Sequence, residues 1–290
     1  MTPKTKKPIK QYTREQSPLF NIQSKRKLAA ILKVDFDTCK RLISGGDTYY
    51  NVWPNKKGRL IEEPVKDMRI THDTIAKYLK KIQVPDFLFC PVKGRSALDN
   101  ARSHIGNDEL IKLDIGKYFP STKFERIFDF FHSGMKCSRD VSWSLAKICS
   151  YQEHLPTGSP LSPYISYFAH ERMWQKIKEM CGQDNYIMTV YVDDLSISGK
   201  KLKGETIWRI KNEIKKYGLN YHKEKKYSKN HPKLVTGAVI QDGNIKLRNK
   251  HHQEIRKLKK EIKSTKNLVE KQKLENSLKG LSSYRNQVEA

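Results

Sequence analysis

The apolar positions of this chain switch between two periods, and the switches mark out its elements. From Ser24 to Ile43, the residues Leu28, Ile31, Leu32 and Phe36 fall near helical spacing and predict one helix. Tyr49-Tyr50-Asn51-Val52-Trp53 reads as a strand, Asn55-Lys56-Lys57-Gly58 as a turn, and Arg59-Leu60-Ile61-Glu62-Glu63-Pro64 as the returning strand. Ile75, Tyr78 and Leu79 give an amphipathic helix from Thr71 to Ile82, and Leu110 to Ile115 reads as a strand with a carboxylate near its end. Helices follow at roughly 122–132 and 139–151. The rigid turn Leu155-Pro156-Thr157-Gly158-Ser159-Pro160 then opens a long helix through Met180. Another helix runs from Glu205 to Tyr217 and stops at Gly218. Val235 to Ile240 predicts one more strand, and the tail from Lys250 is charged and helical.

At the centre of this pattern lies Tyr191-Val192-Asp193-Asp194. Its flanks, Tyr186 to Val190 and Leu195 to Ser198, are rich in β-branched and aromatic residues, so the tetrapeptide falls at the tip of a hairpin. Adjacent carboxylates repel, and no local cation compensates them. A hard, oxygen-seeking cation such as Mg²⁺ supplies a reason for the pair. The strand ending near Asp114 can lie beside this hairpin in one antiparallel sheet, which would bring a third carboxylate to the first two. Three carboxylates holding two Mg²⁺ ions suit an in-line nucleotidyl transfer.

Charge sharpens the picture. The chain has 290 residues and carries 57 Lys and Arg against 31 Asp and Glu, a net charge of +26. The excess is spread along the whole length and points to a polyanion lying in a long groove. No segment approaches the length of apolar residues that a membrane span needs, and no apolar stretch follows the Lys-rich start, so neither a membrane protein nor a secreted one is expected. The five cysteines, Cys39, Cys90, Cys137, Cys149 and Cys181, are scattered and lack zinc-ligand spacing. Reduced thiols in the cytoplasm are the expectation.

Three stretches carry a family resemblance. Leu113-Asp114-Ile115-Gly116-Lys117-Tyr118-Phe119-Pro120-Ser121 resembles the first catalytic motif of reverse transcriptases, Leu155 to Pro163 resembles the second, and Tyr191-Val192-Asp193-Asp194 the third, in the family's order. Asn100-Ala101-Arg102-Ser103-His104 and Val235-Thr236-Gly237 are similar to two short signatures of the bacterial retron branch. The similarity runs from about residue 25 to 250. It implies an α+β right-hand polymerase fold: a basic N-terminal arm and fingers over 1–108, a palm with an antiparallel βαββ-type sheet over 109–242, with a fingers insertion at about 122–152, and a helical thumb over 243–290.

By position, the resemblance implies Asp114 and Asp193 as main metal ligands and Asp194 as the secondary one. Phe119 would be the aromatic gate that leaves no room for a 2′-OH. Lys57 and Arg59, with Lys56, would meet the incoming triphosphate, and Gly158 would let the backbone approach the substrate closely. Lys225 matches the lysine near the leaving pyrophosphate, with Lys223 and Lys226 as alternatives within the register. Thr157 departs from the Gln that commonly precedes this glycine. Asn100 and His104 are either a satisfied buried pair or part of a surface for the cognate RNA. Lys257, Lys260 and Lys263 face solvent on the thumb and are expected to grip RNA phosphates.

The implied activity is RNA-directed DNA synthesis from deoxynucleoside triphosphates. For a retron it would use a structured noncoding RNA as both template and primer, giving a branched RNA–DNA product. An RNA–DNA hybrid and an effector protein active in antiphage defence would be its partners. The alternatives are a group II intron-like reverse transcriptase, whose usual maturase and nuclease domains would find no room after residue 250, a diversity-generating one, and a catalytically idle RNA-binding scaffold.

Overall fold

The computed structural model describes residues 11–265 and 267–289; the first ten residues of the expected basic arm lie outside them. Among the described residues the first two α-helices are short, α1 (Lys25–Leu32) and α2 (Phe36–Ser44), where one was expected. Lys33 turns left-handed at φ 63°, and Asp35 then caps the second helix by accepting from Thr38 N at 2.8 Å. A local cap thus overrides a continuous apolar stripe. The hairpin β1 (Tyr50–Pro54) and β2 (Leu60–Pro64) follows as expected, joined by a turn in which Asn55 Oδ1 accepts from Lys57 N and Arg59 N. Helix α3 (Lys66–Leu79) starts earlier than its apolar spacing predicts. The short strand β3 (Leu88–Cys90) and helix α4 (Ala97–Arg102) lead into β4 (Glu109–Ile115).

After β4 come α5 (Tyr118–Ser121), α6 (Phe124–Asp129), α7 (Arg139–Cys149), α8 (Ser162–Ala169) and α9 (Glu171–Gln183). The expected long helix is two, broken at His170, whose Nε2 lies 3.2 Å from the buried Thr122 hydroxyl. Then follow β5 (Ile187–Tyr191), β6 (Asp194–Gly199), α10 (Gly204–Lys216) and β7 (Tyr221–Tyr227). These strands form one sheet in the order β3-β5-β6-β4-β7, antiparallel except where β3 runs parallel to β5. β8 (Lys233–Val235), β9 (Ala238–Gln241) and β10 (Asn244–Lys246) make a separate small sheet. The strand expected from Val235 to Ile240 is therefore a hairpin. Thr236 and Gly237 both take positive φ, 43° and 90°, the geometry of a tight two-residue turn.

Helices α11 (Asn249–Ser264) and α12 (Leu268–Glu289) pair at the end of the chain, and the expected break at Ser264-Thr265 is where α11 stops. Two cores form among the described residues. The larger joins the N-terminal helices, α6 to α10 and one face of the main sheet, with Trp174, Phe131 and Leu113 fully buried. The smaller gathers Leu98, Ala101 and Leu110 with Val235, Ile240, Ile255 and Val288 under the paired helices.

Candidate active site

Strand alternation builds the site. Ile111, Leu113 and Ile115 of β4 and Leu195 and Ile197 of β6 point into the larger core. The alternate residues, Lys112 and Asp114 of β4 and Asp194, Ser196 and Ser198 of β6, share the other face. Register pairs Asp114 with Asp194, so these two carboxylates stand side by side. The hairpin turn is two residues, Val192 and Asp193, between the paired Tyr191 and Asp194. Val192 sits at φ 58°, a conformation that costs a β-branched residue of order 1–3 kcal/mol. The strained turn sets Asp193 beside β4, its carbonyl accepting from Ile115 N at 2.9 Å.

Burial raises the Asp193 carboxyl above its ordinary range, and the Asp114 and Asp194 charges push in the same direction. Arg59 at the foot of β2 pulls it back down, so the hairpin cation is felt at the acidic tip. Asp114 Oδ2 lies 3.6 Å from both His222 Nε2 and Lys223 Nζ, and Asp194 Oδ2 lies 3.5 Å from Lys112 Nζ. A bulge in β7 explains how two successive residues reach one carboxylate. Asp114 pairs with Lys223 and Ile115 with Tyr221, leaving His222 as the extra residue. Among the described residues no three acidic, histidine or cysteine side chains converge as a preformed metal cage. Mg²⁺ does not require one, because it commonly takes one or two carboxylates and completes its shell with water and substrate phosphates.

Phe119 is half-buried on α5. That helix is anchored by its neighbour Tyr118, fully inside, which donates to Ser166 O at 2.9 Å and accepts from Trp174 Nε1 at 3.2 Å. Lys57 is exposed at the turn of the β1–β2 hairpin, with Lys56 beside it. Of the three lysines that the sequence leaves open, Lys223 stands beside Asp114. Lys225 pairs with Lys112 one step further along the same face, and Lys226 is tied to Glu224 at 3.3 Å.

The structure bears on two further expectations. Gly158 was expected to make room for substrate, but a side chain there would meet Glu62 O at 2.8 Å; the glycine admits the backbone of β2. Its neighbour Ser159 is turned inward, 2.7 Å from His72 Nδ1. Asn100 and His104 offer no surface to RNA, since both are buried. His104 spans the polar face of the sheet, Nδ1 lying 2.7 Å from Ser198 Oγ and Nε2 2.8 Å from Thr189 Oγ1. Burial pushes its imidazole down to about 4, and the Lys112 charge adds to this, so it is neutral. Asn100 Nδ2 donates to Thr236 Oγ1 at 3.3 Å, so the two short signatures meet in space. Lys257, Lys260 and Lys263 lie exposed on α11, with Lys257 Nζ 3.6 Å from Glu261.

Sequence reasoning passed over Glu62 and His154, which tie β2 to the 154–158 loop. The signal was an acidic residue within an apolar strand, Leu60-Ile61-Glu62. A groove of about 620 Å³ lined by Trp208, Ile207 and Tyr227 lies at the far end of β4 from Asp114 and belongs to no part of this chemistry.

The model of the family described as reverse transcriptase (RNA-dependent DNA polymerase) matches residues 51–236. The retron Ec86 reverse transcriptase of Escherichia coli is 28% identical over 235 residues, covering 77% of this chain and 73% of its own. The retron Se72 reverse transcriptase of Salmonella heidelberg (strain 579083-10) is 29% identical over 219 residues, 70% of this chain and 57% of its own. The retron Ec83 reverse transcriptase of Escherichia coli is 26% identical over 231 residues, 72% and 73% respectively. With Asp114, Asp193 and Asp194 brought to one sheet, the chain belongs to the reverse transcriptase family, RNA-directed DNA polymerases of right-hand fold, and is similar to the bacterial retron enzymes.

Proposed function

We propose that this polymerase copies a cognate structured noncoding RNA, its template and primer at once, into single-stranded DNA. Synthesis begins at a 2′-OH of the RNA and leaves a branched RNA–DNA product. The observation that carries the reading is the side-by-side register of Asp114 and Asp194 next to Asp193, under the reach of Arg59. Burial and the two neighbouring charges raise the Asp193 carboxyl, and anions grouped in this way call for a cation. Asp114 and Asp193 would hold two Mg²⁺ ions, with Asp194 secondary. Bound there, the metal supplies activation of the attacking hydroxyl and neutralisation of the leaving pyrophosphate. Phe119 closes the space under the sugar and so selects deoxynucleotides, Lys57 and Arg59 hold the triphosphate, and Lys223, or Lys225 beside it, lies on the pyrophosphate side.

The division of labour follows: arm and fingers over 1–108, palm over 109–242 with its insertion, thumb over 243–290. An RNA–DNA hybrid would lie between palm and thumb, and Lys257, Lys260 and Lys263 would meet its phosphates. An effector protein in antiphage defence and a cytoplasmic location complete the proposal; no helix among the described residues is long and apolar enough to cross a membrane. The test is to isolate the nucleic acid that copurifies with the protein, extend it with deoxynucleotides and Mg²⁺, and map the first linkage. DNA joined to an internal ribonucleotide through its 2′ oxygen is the expected product. DNA begun from the 3′ end of a separate primer would refute the retron reading and leave the polymerase.

A further inference from the structure

The β1–β2 hairpin reverses the usual placement of charge. Trp53 and Leu60 are 40% and 53% exposed, whereas Glu62 is only 5% exposed. A carboxylate is rarely buried unless it is paired and hydrogen-bonded. Glu62 is both. Its Oε1 lies 3.0 Å from His154 Nε2, its Oε2 accepts from Thr157 N at 2.9 Å, and its backbone carbonyl accepts from Gly158 N at 3.1 Å. The absent side chain of Gly158 is what lets the two backbones come this close. His154 Nδ1 lies 3.0 Å from Gln152 O, so each ring nitrogen faces an acceptor. Only the imidazolium donates from both.

The clasp joins the two sides of the nucleotide site. From Glu62 the strand runs back to Arg59, whose charge reaches Asp193. From His154 the loop runs to the gate: Leu155 N donates to Thr122 O at 3.0 Å, and Thr122 N donates to Phe119 O at 2.9 Å. We propose that Glu62 is a positioning residue for the incoming nucleotide, fixing the fingers hairpin against the 154–158 loop so that Arg59 and Phe119 keep one relative placement. The proposal rests on the reading that this hairpin carries the triphosphate cations.

The pairing has a pH window. The hydrogen bond to Glu62 raises His154 above its ordinary value, although burial opposes it. Burial alone would raise Glu62, but hydrogen bonds from His154 and Thr157 hold it below the usual range. The other charged or titratable groups around the clasp among the described residues include Lys123, Asp47, the Tyr50 and Tyr151 rings, and Glu153 tied to Lys147. Of these, Lys123 opposes the imidazolium. A group raised on folding keeps its contribution below its unfolded pKa and loses it as pH climbs through the folded one. The clasp is therefore complete below the ordinary histidine range and loosens as pH rises through the raised His154 value.

The test is steady-state primer extension as a function of deoxynucleotide concentration and pH. Glu62→Gln keeps the shape but loses the charge. It should raise the deoxynucleotide KM about tenfold with kcat within about threefold, and its alkaline rise in KM should begin at lower pH, because His154 has lost its anion. His154→Gln should abolish that pH dependence, since its amide donates to Glu62 without titrating. Arg59→Ala should raise the same KM. If Arg59→Ala acts and both Glu62→Gln and His154→Gln retain the wild-type KM and pH profile, the clasp has no positioning role and the proposal is overturned. It is overturned equally if Glu62→Gln lowers kcat alone with an unshifted profile. If Arg59→Ala itself leaves KM unchanged, the reading of the hairpin fails first and takes the proposal with it. Should Glu62→Gln fold poorly, the loss or survival of the pH dependence in His154→Gln decides the matter.

Discussion

The main sheet and the paired helices α11 and α12 treat charge in opposite ways. In the sheet, alternation divides each strand cleanly: Leu113, Ile115, Leu195 and Ile197 are fully inside, and Asp114, Asp194 and Lys112 share the other face within a few ångströms of one another. In the helix pair, Ile255 and Val288 are the only buried residues among those described, and the lysines stand out toward solvent. The difference suits the tasks proposed for them. Nucleotidyl transfer needs carboxylates fixed to a fraction of an ångström, so their supports are buried and rigid. Contact with phosphates needs positive charge at the right distance and tolerates movement.

The largest expected effect breaks the sheet's chemistry and leaves the helices alone. Asp193→Asn keeps the size of the side chain but removes an anionic ligand, and should lower Mg²⁺-dependent extension by about 10³-fold or more. RNA binding measured by titration should be unchanged. Extension near the wild-type rate would move the catalytic centre elsewhere.

Next comes packing, which sharpens the contrast in stability. Leu113→Ala opens a cavity in a core that cannot collapse, and should cost about 3–5 kcal/mol in a urea denaturation. Leu278→Ala trims a half-buried contact between the helices and should cost about 1 kcal/mol. Equal losses would mean that the helix pair is as firmly built as the sheet.

The same contrast decides what the sequence could show. Asp114 and Asp193 stood out because a carboxylate near a strand end and a pair at a hairpin tip ask for a chemical reason, whatever surrounds them. The hairpin tip was legible from its β-branched flanks. Glu62 and His154 were not, since they lie 92 residues apart and only the folded backbone brings them together. Asn100 and His104 were visible as a signature, but their direction, inward to Thr236, Ser198 and Thr189, depends on a sheet whose register no local pattern states. The helix breaks at Lys33 and His170 escaped for a related reason. Apolar spacing continues across both, and a cap or a buried side-chain contact interrupts it. Val192 in a left-handed turn runs against its own propensity, which is where function is expected to override local preference.

A smaller effect is expected at the sugar. Tyr118 holds α5 in the core and leaves Phe119 half-exposed at its edge. Phe119→Val should open space for a 2′-OH and reduce the preference for deoxynucleotides over ribonucleotides by about 10- to 100-fold, with thermal stability changed little compared with Leu113→Ala. Competition between matched nucleotides measures this directly. Unchanged discrimination would leave Phe119 as a packing residue.

The smallest expected effect falls on the helix pair. Lys257, Lys260 and Lys263 recur at i, i+3 and i+6 along α11 and are exposed, while Ile255 packs into the smaller core and Leu258 and Ile262 are half-buried. Lys257 has Glu261 at 3.6 Å, a contact open to water and therefore weak. Charged, solvated helix faces are common, so exposure alone argues nothing. The lopsidedness does: from Lys250 to Lys279 there are ten Lys or Arg and four Glu. Phosphate contacts bind through release of counterions, so each lysine engaged steepens the dependence of affinity on salt. Reversing the three to Glu should weaken RNA binding by about tenfold at moderate salt and flatten the salt slope by about 2–3 units. Asp114 and Asp193 lie on another element, so extension at saturating RNA should keep its Mg²⁺ dependence. Titrations at several salt concentrations separate the outcomes. An equal slope for wild type and triple variant would shift the RNA grip to the fingers hairpin or the basic arm, and the helix pair would then be a support for the smaller core.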